Sequence, residues 1–310
     1  MATRTWPSVS VVVPTRGRSE VAARAIGRVL EQRYEAEVEC VVVVDGDSPS
    51  PAASPPASAA GPRSVGVLRT GGANAAAARN AGARAAAGEL LAFCDDDDAW
   101  LPDKLRIQVE RFLASPCAAA TCGISVCYRG RVVPRIPAKE VVTFDDLLRS
   151  RLPELHMSTI LVARDDFLSP DRIGPFDERI PGSFGEDHDW LLRAARFGGV
   201  VAVPEALVEV YWHGDSYFEG RWETSVSAWQ YLLEKYPEFR RDRAGSSRLY
   251  GQIAFGYAAL GRARESRRWV RRCLAANWRQ PRGYLALLTG LGLLRPEFLL
   301  RRLHLVGKGI

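Results

Sequence analysis

Four apolar runs, the first two rich in β-branched valine, punctuate the first hundred positions, and each ends in a turn. Ser8 to Val13 (SVSVVV) stops at Pro14, and Val38 to Val44 (VECVVVV) stops at Asp45-Gly46-Asp47. Ser64 to Arg69 is a shorter run, and Leu90 to Cys94 (LLAFC) leads into Asp95-Asp96-Asp97-Asp98. Continuous rather than alternating apolar character predicts strands buried on both faces, as in parallel sheets. Helices are predicted between them at Glu20–Arg33, in the alanine-rich Ala73–Ala87, and from Pro102 to about Leu113, proline being favoured at a first helical position. Strands alternating with helices predict a parallel α/β sheet with right-handed crossovers, whose ligands bind beyond the carboxyl ends of the strands. Pro14–Arg18, Asp45–Ser48 and Asp95–Asp98 fall at that edge.

The pattern then becomes irregular. Thr121–Tyr128 and Arg131–Ile136 predict a hairpin around Arg129-Gly130, and His156–Val162 another strand. A loop, Ser169–Gly185, leads to Glu186-Asp187-His188-Asp189-Trp190 and a helix over Leu191–Arg196. Val200–Val203 and Val208–Trp212 read as two strands, the second ending at His213. Everything from Trp222 onward is helical in pattern, and Leu249–Trp278 has the small-residue texture of one helical-hairpin repeat. A single copy makes no solenoid. Ser48–Pro62 (SPSPAASPPASAAGP) cannot pack a core and is predicted to be a loop. The expected division is 1–219, with halves 1–115 and 116–219, followed by a helical region over 220–310.

Composition narrows the class. At 310 residues, 47% hydrophobic and 25% charged, the chain is neither disordered, collagenous nor a disulfide-stapled mini-protein. Charge is divided unevenly: residues 1–219 carry a net −6 and residues 220–310 a net +12. The basic part therefore suits an anionic membrane surface, a nucleic acid, or the acidic face of its own chain; a solvated arginine-rich face is the plain alternative. The apolar stretch Gly283–Leu294 falls short of the roughly 20 residues a membrane span needs. The opening MATRTWPSVSVVVP has no apolar signal region, and the six cysteines form no CxxC pair. A cytoplasmic protein with reduced cysteines is expected.

Several groups are candidates for chemistry. Four successive aspartates repel one another unless solvent, a helix N-terminus or a cation compensates. Hard divalent ions take oxygen ligands, Mg²⁺ commonly through one or two carboxylates and substrate phosphates. On an extended chain Asp95 and Asp97 would share one side and Asp96 and Asp98 the other; a helix-capping acidic turn is the alternative. Asp45 is placed either to accept hydrogen bonds from a base or ribose or simply to make a turn. Arg79 would face a diphosphate or make a surface ion pair. Glu186-Asp187 at a loop-to-helix junction reads as helix capping or as a general base. His213 sits among turn residues after a strand, which suits a site. No G-x-G-x-x-G or Walker A sequence occurs, which disfavours dinucleotide oxidoreductases and P-loop ATPases.

In order and spacing these segments resemble the family 2 glycosyltransferases, inverting enzymes of the GT-A fold. The likeness covers roughly residues 7–215. It is carried by SVVVPTRGR at Ser10–Arg18, VVVVDGDS at Val41–Ser48, and GANAAAARNAGARAAAGELLAFCDDDDAWLPDKL at Gly72–Leu105. STILVARDDF at Ser158–Phe167, GPFDE at Gly174–Glu178 and GEDHDWLLRAARFG at Gly185–Gly198 complete it. The resemblance implies a GT-A type, Rossmann-like mixed sheet flanked by helices, and transfer from a nucleoside diphosphate sugar, a UDP-sugar being favoured. It implies that Pro14, Thr15 and Arg16 lie along the nucleotide, Asp45 contacts the base and Arg79 approaches the diphosphate. Asp95 and Asp97 match the D-x-D element, Asp97 as the direct ligand of Mg²⁺ or Mn²⁺ and Asp95 as a nucleotide contact or second ligand. Asp187, with Glu186 beside it, matches the catalytic base, and His213 a histidine that completes the metal shell or holds the diphosphate. Asp45-Gly46-Asp47-Ser48 departs from the commoner Asp-Asp-Gly-Ser.

The acceptor expected is a glycan, a lipid-linked carrier or a small molecule, with peripheral membrane contact through 220–310 and no nucleic-acid partner. A metal-dependent nucleotidyltransferase would need a glycine-rich phosphate loop after the first strand, where PTRGRSE has only Gly17. A non-catalytic nucleotide-sugar-binding module would show a degraded Asp95–Asp98 or Glu186-Asp187 element, and both are intact. A nucleic-acid binder would need a base-reading motif beside the arginines of 264–272.

Overall fold

The computed structural model describes residues 6–47, 49–51, 60–72, 74–212 and 220–305. The first half contains β1 (Val9–Thr15), α1 (Ser19–Leu30), β2 (Val38–Asp45), β3 (Arg63–Thr70), α2 (Ala75–Ala85), β4 (Leu90–Phe93), β5 (Ala99–Trp100) and α3 (Lys104–Leu113). It continues through β6 (Ala119–Tyr128), β7 (Arg131–Arg135), β8 (Val141–Val142), α4 (Phe144–Arg149), β9 (Leu161–Ala163), α5 (Arg164–Leu168), α6 (Glu186–Gly198) and β10 (Val200–Tyr211). The helices α7 (Trp222–Lys235), α8 (Arg243–Ala259), α9 (Ala263–Ala276), α10 (Pro281–Gly290) and α11 (Pro296–Leu305) follow.

The described strands form one mixed sheet in the order β3-β2-β1-β4-β9-β6-β10-β5, with β7 beside β6 and β8 beside β10. β3, β2, β1 and β4 run parallel; β9 is antiparallel to both neighbours. The unbroken valine runs are explained by the two cores. Val9, Val11 and Val13 of β1 pack with Ala22, Ile26 and Val29 of α1 and Leu105 of α3. Val12, with Val41 and Val43 of β2, faces the opposite core under α2 and α6. Alternate residues thus point to opposite faces, and both faces are covered. Gly82 sets how closely α2 lies on this sheet: a Cβ there would meet Val12 Cγ1 at 2.5 Å and Val43 Cγ2 at 2.8 Å.

Four local expectations change. Pro102 lies in a turn and α3 begins at Lys104, with Asp103 as its N-cap residue. His156–Val162 is only partly a strand: His156 caps a 3₁₀ turn over Met157–Thr159, and pairing begins at Leu161. Ser158 in that turn serves the acidic cluster rather than a ladder. The helix expected over Leu191–Arg196 begins at Glu186, and the two strands expected after it are one, β10, with register shifts around Ala206.

The C-terminal helices continue the fold. Val226, Trp229 and Leu232 of α7 and Leu249 and Ile253 of α8 belong to the same core cluster as Trp190, Leu191 and Met157. Ala254, Phe255, Val270 and Ala286 form a smaller cluster joining α8, α9 and α10. Asp189, fully buried, ties α6 to this part through Lys235 Nζ at 2.6 Å and the Tyr236 hydroxyl at 2.8 Å. Among the described residues no helix is long and apolar enough to cross a membrane.

Candidate active site

The acidic tetrad follows β4, and its geometry departs from the extended alternation. Asp98 N donates to Asp95 O at 3.1 Å, so the four residues form a turn. The turn separates the carboxylates into two pairs. Asp96 and Asp97 face the segment after β1: Asp96 accepts from Thr15 Oγ1 at 2.7 Å, and Arg18 donates to Asp96 at 2.5 Å and to Asp97 at 2.7 Å. Asp95 and Asp98 turn toward Ser158 and His156. Ser158 Oγ donates to Asp98 at 2.5 Å and accepts from Asp95 N at 3.0 Å, and His156 Nδ1 lies 3.4 Å from Asp98.

One ligand atom each from Asp95, Asp98 and His156 lie within 4.8 Å of one another. Two carboxylate oxygens and an imidazole nitrogen are a donor set of the kind that binds a divalent metal ion. Burial, reinforced by Asp95 and Asp97, pushes the Asp98 carboxyl well above its ordinary range. Burial likewise carries Asp96 to about 6 against the pull of Arg18. Asp95 is half-buried, and Arg79 and His156 hold it below the ordinary range.

Arg79 is 6% exposed on α2, one turn before the Gly82 contact with the sheet. Its guanidinium donates to Asp95 through Nη2 and to Glu186 through Nη1. Glu186 and Asp187 occupy the first turn of α6. The approach to that turn has positive φ at Gly182 (60°), Ser183 (56°) and Gly185 (85°). Non-glycine residues seldom adopt that region; Ser183 is held there while its Oγ accepts from Ala76 N at 3.2 Å. The two acids then differ. Burial raises Glu186 to about 7, only partly offset by Arg79. Asp187, half-buried, is held below its ordinary range by Arg151 and His156. Arg151 Nη2 donates to its two oxygens at 3.1 and 3.2 Å, and His188 N donates to Oδ1 at 2.8 Å. Adjacent acids in one helical turn are thus pushed in opposite directions, Glu186 up and Asp187 down.

Pro14, Thr15, Arg16 and Asp45 lie at the carboxyl ends of β1 and β2. Asp45 accepts from Thr70 Oγ1 at 2.8 Å, and Arg16 Nη1 stands 4.0 Å from it. The structure brings together Asp95, Arg79, Glu186 and Asp187, places Thr15 and Asp97 on the Arg18 side of the turn, and leaves Asp45 and Arg16 along the sheet edge. His213 lies outside the described residues. Arg151 and His156 carried no distinct sequence signal, and Arg18 and Ser158 stand in the quoted segments SVVVPTRGR and STILVARDDF with no role of their own assigned. Arg151 precedes Leu152, whose φ of 48° marks a constrained backbone that no spacing rule reveals.

Residues 10–160 match the family model described as glycosyl transferase family 2. Curated protein sequences give no significant match. Among solved structures, S. aureus TarS 1-349 in complex with UDP-GlcNAc superposes with a TM-score of 0.59 at 16% identity, over 95% of this chain and 91% of that one. The same protein in complex with UDP gives 0.57 at 18% identity, over the same shares of the two chains. The mannosyltransferase PcManGT from Pyrobaculum calidifontis, in complex with GDP-Man and Mn²⁺, gives 0.53 at 18% identity, over 96% and 83%. At these identities the structural likeness is one of fold, an α/β arrangement of GT-A type. The family match runs from β1 to the 3₁₀ turn beside the acidic residues: over residues 10–160 the chain belongs to glycosyl transferase family 2, and it is a glycosyltransferase.

Proposed function

We propose that this protein is an inverting, divalent-metal-dependent transferase that moves a sugar from a nucleoside diphosphate sugar, a UDP-sugar being favoured, to an acceptor hydroxyl. The acceptor would be a cell-surface polysaccharide or a natural-product glycan. One observation carries the reading: Arg151 holds the Asp187 carboxylate at the head of α6, one residue from the Glu186–Arg79–Asp95 chain that leads to the acidic turn. The likeness to structures holding UDP-GlcNAc and GDP-Man supports a nucleotide-sugar donor.

In this mechanism the Asp187 carboxylate takes the proton of the acceptor hydroxyl as its oxygen attacks the anomeric carbon. The bond to the diphosphate oxygen breaks on the opposite face, so configuration inverts. Arg151 and His188 N fix the carboxylate's orientation. Arg79 fixes Glu186 and Asp95 relative to each other, holding the two halves of the site in register; proximity and alignment supply much of the rate. Asp95, Asp98 and His156 would hold the metal, with Asp97 and His213 as the ligands implied by resemblance. Mg²⁺ or Mn²⁺, when bound, offsets charge on the departing diphosphate as a Lewis acid. Pro14, Thr15, Arg16 and Asp45 would receive the nucleotide. The direct test is donor hydrolysis across a panel of nucleotide sugars with Mn²⁺. Turnover of one donor that is lost in Asp187→Asn supports the reading, and equal turnover in that variant overturns it.

The division at 219/220 and a peripheral membrane role belong to the same proposal. α7 and part of α8 share the main core, so contact with an anionic bilayer would fall to α9–α11. Trp278 (65% exposed), Leu291 (69%) and Leu293 (73%) stand there among arginines. Basic helices with exposed leucine and tryptophan suit an anionic interface. Salt-sensitive co-sedimentation with anionic but not neutral vesicles is expected; its absence at low salt would exclude this attachment.

A further inference from the structure

An open cavity of about 190 Å³ lies where α7, α8 and α9 meet, and none of its lining residues belongs to the site around Asp187. The buried Leu233 of α7 lines its inner side. Two aromatic rings make a wall: Tyr250 of α8 and Trp269 of α9, with centroids 5.5 Å apart and planes inclined by 48°. Both rings are half-buried and pack against the main core. Arg272, also lining the cavity, lies over the Trp269 ring at 4.7 Å from its centroid, a stack that holds the guanidinium beside the ring. Glu234 and Arg240, both exposed, complete the rim with Gln230. α7 is tied to the helix that carries Asp187: Lys235, the residue after Glu234, pairs with Asp189 of α6 at 2.6 Å.

This lining narrows the ligand. The volume is below the roughly 300–1,000 Å³ of a pocket for a drug-sized molecule, so a single ring, or one unit of a longer chain, fits. The aromatic wall calls for an apolar face on that ring. The rim calls for groups that both donate and accept: Glu234 offers acceptors, Arg240 and Arg272 offer donors, and Gln230 offers both. A phosphate would meet the Glu234 carboxylate, and a cation would meet two guanidiniums. A neutral hydroxyl donates to the first and accepts from the others. A pyranose joins the two requirements, with C–H groups on one face to lie against an aromatic ring and hydroxyls around its edge to reach the rim. We propose that this cavity is a second, non-catalytic site for one sugar unit of a neutral glycan, part of the acceptor or product chain. Binding there would raise the chain's local concentration near α6, to which α7 is tied. The inference goes beyond the proposed function and rests on it only in taking a glycan as the acceptor.

The test is saturation-transfer NMR of the full chain with linear oligosaccharides of glucose, mannose, galactose, xylose and N-acetylglucosamine, in saturating UDP and Mg²⁺. At least one of these neutral glycans should bind the wild type. Glu234→Ala, at an exposed position, should fold as wild type does and weaken that binding at least about 10-fold, the loss expected when one hydrogen bond to a charged group is removed. Trp269→Leu should abolish it by removing the aromatic wall. Asp187→Asn should bind as tightly as wild type, because the cavity holds no catalytic group. No binding of any of these glycans by wild type, undiminished binding by Glu234→Ala, or loss of binding in Asp187→Asn would each overturn the inference. Donor hydrolysis by the same preparations, without UDP, separates the two readings. Donor turnover without glycan binding sinks only the cavity, and glycan binding without turnover of any donor sinks only the proposed function.

Discussion

The guanidinium of Arg79 joins Asp95 at the end of β4 to Glu186 in the first turn of α6, linking the acidic turn to the head of the helix that carries Asp187. All three side chains are largely buried, so the cation is what allows the two acids to approach. Removing one partner of a buried ion pair typically costs 3–5 kcal/mol, roughly, because a charge is left uncompensated. Arg79→Met should lose stability on that scale in urea unfolding. Arg79→Lys should recover only part of it, since one ammonium cannot reproduce the two-armed fork. An Arg79→Met protein as stable as wild type would show that the bridge contributes nothing.

Asp187→Asn should lower kcat by roughly 10²–10⁴-fold, the usual contribution of a general base. Donor affinity, measured by calorimetry with UDP, should stay within about twofold, because the base acts on the acceptor in the transition state. Glu186→Gln should be milder: burial already raises its pKa to about 7, so the amide resembles the protonated form. A Glu186→Gln enzyme more impaired than Asp187→Asn would reverse the roles.

Metal removal should silence transfer, with Mg²⁺ or Mn²⁺ restoring it. The ligand set separates the turn geometry from the D-x-D spacing. If Asp95, Asp98 and His156 hold the ion, Asp98→Asn should weaken Mn²⁺ binding at least about 10-fold, and Asp97→Asn, whose carboxylate faces Arg18, should weaken it less. Electron paramagnetic resonance of bound Mn²⁺ reads both. Because the Asp98 carboxyl is pushed up without metal, binding should release a proton and weaken as pH falls.

Lys104 offers a stability test away from the chemistry. It is fully buried, its Nζ lies 3.5 Å from the Trp100 ring centroid, and burial lowers its pKa from 10.5 to about 8. Below pH 8 the folded state must keep an ammonium in a site that disfavours it, and above 10.5 both states are neutral. The cost is therefore complete at low pH and fades as pH rises through that window. Lys104→Met should raise the unfolding midpoint at pH 7 by a few degrees, given about 4 °C per kcal/mol or less at this size. The advantage should shrink toward pH 10. A loss of stability at pH 7 would mean that the contact with Trp100 outweighs burial.

Much of this fold is legible in the sequence because its strongest signals are local and redundant. The valine runs of β1 and β2 need both faces covered, and Gly82 needs close packing on them. What is not legible arises where distant segments decide geometry. Four aspartates in sequence do not reveal that they turn, because the turn is held by Ser158 and Arg18, which lie sixty residues downstream and seventy-eight upstream of their aspartate partners. His156 has the sequence context of a strand for the same reason: apolar residues after it suggest pairing, while its own backbone caps a 3₁₀ turn beside the acidic residues. Arg151 has no spacing relation to Asp187, and only folding brings them to 3.1 Å.

In the proposed mechanism Asp187 assists a single displacement at the anomeric carbon. The anomeric form of the sugar released from an α-linked nucleotide-sugar donor, followed by proton NMR before mutarotation with water as acceptor, tests this most directly. Wild type should release the β anomer first, and Asp187→Asn should release sugar at least about 100-fold more slowly. Initial release of the α anomer, or unchanged release by Asp187→Asn, would contradict it.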